Sequence, residues 1–287
     1  MKLSKQSKIL IIGLGLLGGS YAKALKQKGF NVSAITLKEA DIDFALENNI
    51  IDYGTTKVDA ELIKNSNIVI FALYPSVFCE WIEKYANLFK EGTVITDVTG
   101  VKGGIVQRIQ DSLPSGVEFI SAHPMAGRET SGIQNADPSI FKDANYIVVP
   151  TEKNSLDAIE ICCQLGEVLG FKTVSKLSVD EHDRMIAFLS QLTHCIAVSL
   201  MCANDNKDLV KYTGDSFRDL TRIANINDEM WSELFLSNAT VLLDEMDTYR
   251  KSFDELYNYI KTNDREGLRS MMKTSTQRRR WFDKEKE

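Results

Sequence analysis

His123 stands in the stretch SAHPMAGRETSG, residues 121–132, and is one of only three histidines in the 287-residue chain. An imidazole titrates near neutral pH, so a histidine held at a strand end can take up a proton during a reaction. Pro124 lacks a backbone N–H and biases the residue before it away from helical geometry, so the ring leaves its strand on a short, stiff exit. A histidine in this place can equally do no more than satisfy loop carbonyls, and the stretch alone leaves both readings open. A second set of residues is SFRDLTRIANINDEMW, residues 216–231. Arg218 and Arg222 are four apart and share a helical face. Two guanidinium groups there could grip a dicarboxylate through charge-assisted, bidentate bonds. Solvation, or pairing with Asp215 and Asp219, explains the two arginines as well.

A third pattern is KILIIGLGLLGGSYAKAL, in which Gly13-x-Gly15-x-x-Gly18 directly follows an apolar, β-rich run and opens a helical one. That is the setting a dinucleotide fingerprint requires. Gly13 permits the tight turn, Gly15 lets the backbone approach a pyrophosphate, and Gly18 lets the helix pack on the strand. The free N–H groups at Leu16 and Leu17 and the dipole of the helix then favour phosphate charge. Leu73 and Pro75, which follow the NIVIFAL run, are placed at the same cofactor edge. An NAD site normally carries an acid at the end of the second strand, where it bonds the ribose hydroxyls. Here NVSAI ends in Thr36-Leu37-Lys38. Thr36 brings no charge to repel a 2′-phosphate and Lys38 could attract one, so NADP is favoured over NAD, with Glu39 as the residue that would serve NAD instead.

These groups need a scaffold, and the chain supplies a legible one. From residue 8 to about 176, the runs KILII, NVSAI, NIVIFAL, TVITD, EFISA, NYIVV and FKTVS alternate with helical segments. Such alternation predicts βαβ units around a doubly wound, mostly parallel sheet of Rossmann type. Ligands bind such a sheet beyond the carboxyl ends of its strands, and EFISA delivers His123 to that edge. TDVTGVKG, residues 96–103, gives a second strand-to-helix turn there. From Ser178 onward there is no proline and only two glycines, so long helices can run without breakers. The expected domains are therefore 1–177, a dinucleotide-binding Rossmann domain, and 178–287, an all-α region. One helix there should carry Phe235, Ala239, Leu242, Met246, Tyr249, Phe253, Leu256 and Ile260 along a single seam. With a second apolar helix from about Glu181 to Ala203, this leaves more apolar surface than a small helical region can bury alone. A homodimer through the C-terminal half is expected.

A formal net charge of -6 argues against general affinity for nucleic acid or an anionic membrane. The basic run Arg278-Arg279-Arg280 reads as a solvated helix end. The five cysteines form no C-x-x-C pair and read as reduced thiols of a cytoplasmic protein, with no metal site. The opening MKLSKQSK and the apolar run after it mimic a signal peptide, but Gly13, Gly15, Gly18 and Gly19 break that run. No further regulatory domain is expected after Glu287.

SAHPMAGRETSG, the TDVTGVKG turn, EHDRMIAFLSQLTH and FRDLTRIA followed by MW together resemble the prephenate/arogenate dehydrogenase family of tyrosine biosynthesis. The resemblance runs in order from Gly13 to Trp231. It implies a Rossmann domain followed by a helical dimerisation domain. It also implies oxidation of prephenate or arogenate by NAD or NADP, with loss of carbon dioxide and formation of an aromatic ring. By resemblance His123 is the catalytic histidine, Arg222 the substrate-carboxylate arginine, and Arg218 a basic neighbour. His194 matches the second histidine of a His-Leu-Pro-His pattern and is placed with His123 and Thr99 in the catalytic set, and Glu129 matches a loop acid that shapes or gates the site. Trp231 joins the substrate-binding set.

Two departures stand out. The family's turn usually reads Asp-x-Gly-Ser-x-Lys, its serine orienting the catalytic histidine; here Gly100 stands in the serine position. Thr99, from a shifted backbone, or a water is expected to supply the hydroxyl. Gln191 and Thr193 replace the first histidine and the proline of His-Leu-Pro-His, with Gln191 expected among the substrate contacts. Three readings follow: a prephenate dehydrogenase forming 4-hydroxyphenylpyruvate, an arogenate dehydrogenase forming tyrosine, and a non-catalytic nucleotide-sensing Rossmann protein supported only by the missing serine.

Overall fold

The computed structural model describes residues 3–283, so Met1, Lys2 and the last four residues lie outside the account that follows. The described residues form two compact units, divided between Asn238 and Ala239. The first begins with β1 (Lys8–Ile12), α1 (Leu16–Gln27), β2 (Asn31–Ile35), α2 (Glu39–Glu47), β3 (Tyr53–Thr55), α3 (Ala60–Asn65), β4 (Ile68–Phe71), α4 (Pro75–Tyr85), β5 (Val94–Asp97), α5 (Ile105–Ser112) and β6 (Glu118–Phe119). These six strands form one all-parallel sheet in the order β3-β2-β1-β4-β5-β6. Helices cover both faces of such a sheet, so its strands read as continuous apolar runs. Ile9, Leu10, Ile11, Val69, Ile70, Phe71 and Ile95 are accordingly almost fully withdrawn from water. Each such side chain contributes roughly 1.5–3 kcal/mol on burial. β3 is short and carries Gly54, which hides its strand pattern in the sequence.

The EFISA run does not form one strand. It divides at Ile120 into β6 and β7 (Ser121–Pro124), and β7 enters a second, three-stranded sheet with β8 (Asn145–Val149) and β9 (Thr173–Lys176). β7 pairs antiparallel with β8, His123 lying opposite Ile147, and β8 pairs parallel with β9. α6 (Leu156–Leu169) connects those two parallel strands, starting at a Ser155 cap whose side chain accepts from Ala158 N and ending at Gly170 in the left-handed conformation. The histidine strand thus leaves the nucleotide sheet and forms the edge of its own small sheet.

The first unit extends past residue 177 to take in α7 (Val179–Ile186), α8 (Thr193–Cys202), α9 (Asp215–Thr221) and α10 (Asp228–Ser237). α7 opens with a complete capping box between Ser178 and Glu181, a device worth about 1 kcal/mol. Between α7 and α8, residues Ala187–Leu192 are wound as a π-helix, a form concentrated at functional positions. The whole run Val179–Cys202 is long and apolar enough to cross a membrane by length and composition, yet its buried residues include His182, Asp183 and Gln191. The second unit is the pair α11 (Ala239–Lys261) and α12 (Arg265–Arg279).

The single seam expected from Phe235 to Ile260 is interrupted at Asn238, so Phe235 lies on α10 and the rest on α11. The reason is local to Asn238. Its buried amide donates to Asp183 O at 3.0 Å and Gln191 Oε1 at 2.8 Å, and its backbone (φ -118, ψ 24) leaves the helical region.

Candidate functional site

The first part of the site is the turn after β1. Gly13 has φ +99, and a Cβ there would stand 2.5 Å from Ala72 O. A Cβ on Gly18 would fall 1.9 Å from Gly13 O, whereas no atom lies within 4 Å of where one on Gly15 would sit. Gly15 is the N-cap of α1, and neither a capping side chain nor an acid occupies the first turn. The N–H groups of Leu16, Leu17 and their neighbours therefore face open space under a favourable dipole, which fits a pyrophosphate. Leu73 packs against Gly13, and Pro75 is the first residue of α4. At the end of β2, Thr36 Oγ1 accepts from Leu14 N at 3.4 Å, and Lys38 is exposed at the start of α2. Gly18→Ala is expected to remove dinucleotide binding, because its Cβ would fall 1.9 Å from the Gly13 carbonyl oxygen, backbone that has to shift to admit it. Titration with NADH and NADPH, followed by fluorescence, checks this.

The second part lies under His123. Asp97 ends β5 and is fully buried. Its Oδ1 accepts from Ser121 Oγ at 2.7 Å and Ala122 N at 2.9 Å. Its Oδ2 accepts from Lys102 Nζ at 3.0 Å, from Thr99 N at 3.1 Å and from the Thr99 hydroxyl. Lys102, equally buried, donates on to Ala122 O at 2.7 Å and Thr99 O at 2.9 Å. Burial draws the Lys102 ammonium below the usual lysine range, and Asp97 opposes that shift. A buried ion pair is tolerated only when its remaining donors and acceptors are matched, as here. The pair locks the 97–102 turn to the strand that carries His123.

The Thr99 hydroxyl was expected to orient His123. It is instead held by Asp97, Val101 O and Lys102, so it faces the ion pair and not the imidazole. Gly100 does lie beside the ring, for a Cβ there would be 3.9 Å from His123 Cε1 and 3.5 Å from the Leu234 side chain. The ring's partner is His182, whose Nε2 lies 2.8 Å from His123 Nδ1. His182 Nδ1 in turn lies 2.7 Å from Asp183 Oδ1. That carboxylate also accepts from Lys102 N at 2.9 Å and, through Oδ2, from Gly103 N at 2.6 Å. Removal from water, then the cost of adding a positive charge beside a second imidazole, His182, and the Lys102 ammonium, hold the His123 imidazole well below its ordinary value. Burial also lowers His182, against the opposing pull of Asp183. Both rings are neutral at neutral pH, as a proton acceptor must be.

The third part is carried by α8, α10 and the loop after β7. His194 donates from Nδ1 to Ser190 O at 2.9 Å and stacks on Trp231, the ring centroids 3.7 Å apart. Its Nε2 is thus left to meet a ligand, and Glu129 and Arg222 lie close enough to influence its titration. Arg222 Nη1 pairs with Glu129 Oε1. Trp231 and Leu234 are three apart on α10 and share a face, so the His194 group and the Gly100–His123 group adjoin the same stretch of helix.

Two expected substrate residues have other partners. Gln191 is buried, its Nε2 donating to Leu234 O at 2.8 Å and its Oε1 accepting from Asn238, so it braces α10. Arg218 donates to Thr213 O at 3.2 Å and lies 3.8 Å from Asp215. α9 ends at Thr221, and the two arginines hold different partners instead of converging. Sequence reasoning gave His182 no role in the site and missed Asp183. The available signal was a His-Asp pair placed four residues before Ile186, on the buried face of an apolar helix.

Residues 21–175 match the family model for the nucleotide-binding domain of prephenate dehydrogenase, and residues 178–274 match the model for its dimerization domain. The chain is 34% identical over 276 residues to the prephenate dehydrogenase of Lactococcus lactis, covering 91% of this chain and 73% of that protein. It is 31% identical over 279 residues to that of Bacillus subtilis, covering 93% and 74%. Among solved structures, prephenate dehydrogenase from A. aeolicus in complex with hydroxyphenyl propionate and NAD+ superposes with a TM-score of 0.89, at 28% identity, over 99% of this chain and 100% of that one.

Proposed function

The chain belongs to the prephenate dehydrogenase family of oxidoreductases, and we propose that its reaction is the oxidative decarboxylation of prephenate to 4-hydroxyphenylpyruvate. The observation that carries this reading is the placing of the His123 ring beside the Gly100 turn, its Nδ1 engaged by His182 at 2.8 Å. His123 Nε2 accepts the proton of the ring hydroxyl. A bound nicotinamide supplies the hydride acceptor for the hydrogen on the same carbon. As the carbonyl forms, the bond to the ring carboxylate breaks and carbon dioxide leaves; its electron pair enters the ring and reaches the carbonyl oxygen, which takes the proton back from His123 as the phenol hydroxyl. Aromatisation drives the reaction, so the protein's work is chiefly positioning. Arg222 binds a substrate carboxylate, exchanging Glu129 for it, and Trp231 with His194 forms the wall against which the substrate ring lies. Arg218 adds positive potential without direct contact.

The residues of the β1 turn hold the dinucleotide, Gly13, Gly15, Gly18, Leu16 and Leu17 at the pyrophosphate and Leu73 and Pro75 along its edge. Thr36 and Lys38 favour a 2′-phosphorylated ribose, so NADP is the preferred cofactor. The domains divide at residue 177, the first holding the nucleotide and the base His123, the second carrying the substrate carboxylate contact at Arg222 and the subunit contacts. The exposed Phe188, Leu189, Leu200 and Met201 on the helical run and Leu243, Phe253 and Ile260 on α11 lie in the homodimer interface, in a cytoplasmic enzyme. Mixing purified protein with prephenate or arogenate and with NAD or NADP, while following reduced-nicotinamide absorbance, tests the reading. The expected result is the fastest rise with prephenate and NADP. No rise in any combination refutes oxidation, and a faster rise with arogenate reassigns the substrate.

A further inference from the structure

In place of a neighbouring hydroxyl, we infer that His182 and Asp183 orient His123, fixing its tautomer so that Nε2 carries the lone pair that receives the substrate proton. The inference rests on His123 being the base, and it follows from tracing donors along the chain. Asp183 accepts from two backbone amides, Lys102 N and Gly103 N, and these can only donate, so its carboxylate is an acceptor on every side. His182 Nδ1, 2.7 Å from Asp183 Oδ1, must then carry a hydrogen. In a neutral ring the other nitrogen is bare, so His182 Nε2 is an acceptor. His123 Nδ1, 2.8 Å away, must be its donor. That leaves His123 Nε2 unprotonated, and Nδ1 cannot serve as the base because it is already engaged.

The chain has the logic of a carboxylate–imidazole pair in a hydrolase triad, with one more ring inserted. When His123 takes the hydroxyl proton on Nε2, its Nδ1–H remains bonded to His182, and the new positive charge is stabilised through that ring by the Asp183 carboxylate. No proton is lost or gained beyond the one transferred. His182 and Asp183 are therefore positioning residues, and neither touches substrate. Their own placement is secured by α7, whose capping box fixes its first turn, and by Asn238 Nδ2, which donates to Asp183 O. The 97–103 turn that lost its serine thus still orients the histidine, through its backbone N–H groups in place of a side chain.

The test combines tautomer spectroscopy with kinetics. Because the chain has three histidines, two-bond 1H–15N correlation spectra of 15N-histidine protein at neutral pH resolve each ring. The wild-type protein is expected to show His123 and His182 both protonated at Nδ1 and bare at Nε2. In Asp183→Asn the single amide oxygen is expected to stay with the backbone N–H groups. The amide nitrogen then donates to His182 Nδ1, and both rings switch to the Nε2–H form. In this variant kcat should fall about 10²–10⁴-fold while KM and cofactor affinity stay within about twofold. His182→Asn should lose a similar factor, and the double variant no more than the worse single one, as for residues acting as a unit. A wild-type His123 protonated at Nε2 overturns the inference without any variant. So does an Asp183→Asn enzyme that keeps its kcat. If His123→Asn itself retained turnover, the base assignment would fail instead.

Discussion

Replacing His123 by Asn is expected to lower kcat about 10²–10⁴-fold, the usual contribution of a positioned general base, while dinucleotide affinity stays close to that of the wild type. The separation follows from the architecture. His123 lies on β7 in the small sheet, whereas the pyrophosphate cradle is built from β1 and α1 in the parallel sheet. Steady-state kinetics beside a cofactor titration measure both quantities, and retained turnover would remove the base from the mechanism. The pH dependence gives a companion result. His123 is held well below its ordinary value by burial and by the cost of adding a positive charge beside His182 and Lys102, so its base form persists on the acid side of about 6.5, the reference imidazole value. The acid limb of kcat should therefore fall below that pH. Stability has the same sign: an unfolded chain takes up the proton first, so as pH drops below about 6.5 the folded state loses stability until the folded ring titrates.

Arg222→Ala is expected to raise KM for the substrate about 10–150-fold, with a smaller change in kcat. A hydrogen bond to a charged group is worth roughly 1.5–3 kcal/mol, and each 1.4 kcal/mol is tenfold. The structure shows why this guanidinium can exchange partners. Its pairing with Glu129 is on the surface, with both side chains substantially exposed, and such pairs are worth at most about 1 kcal/mol. A substrate carboxylate, supported by the adjoining Trp231 and His194, has little to displace. Arg218→Ala should change KM far less, because Arg218 already holds Thr213 O and Asp215. Equal effects at the two positions would mean that both arginines grip the substrate, contrary to their present partners.

The alternation of strands and helices, the glycine cradle, the stiff exit at His123–Pro124 and the apolar helices after residue 178 were all legible in the sequence. Each is a local property: periodicity, a turn that only glycine permits, a proline that restricts its neighbour. Gly13, whose φ is positive, and Gly18, which lies against the Gly13 carbonyl, are where local reading placed them. The partners of polar groups depended on tertiary packing. Thr99 was chosen for its hydroxyl, and the buried Asp97–Lys102 pair claims that hydroxyl. Gln191 was chosen for its place in a motif, and Asn238 and Leu234 O occupy its amide. Asn238 ends a helix that its apolar spacing would have continued.

What holds His123 was decided the same way. His182 is 59 residues away in sequence, and no propensity or spacing links the two rings. Sequence by itself determined which residues were available for chemistry and which elements would carry them. Only tertiary structure decided which donor meets which acceptor, because a buried polar group must be matched by whatever the fold brings within 3 Å, however distant in the chain.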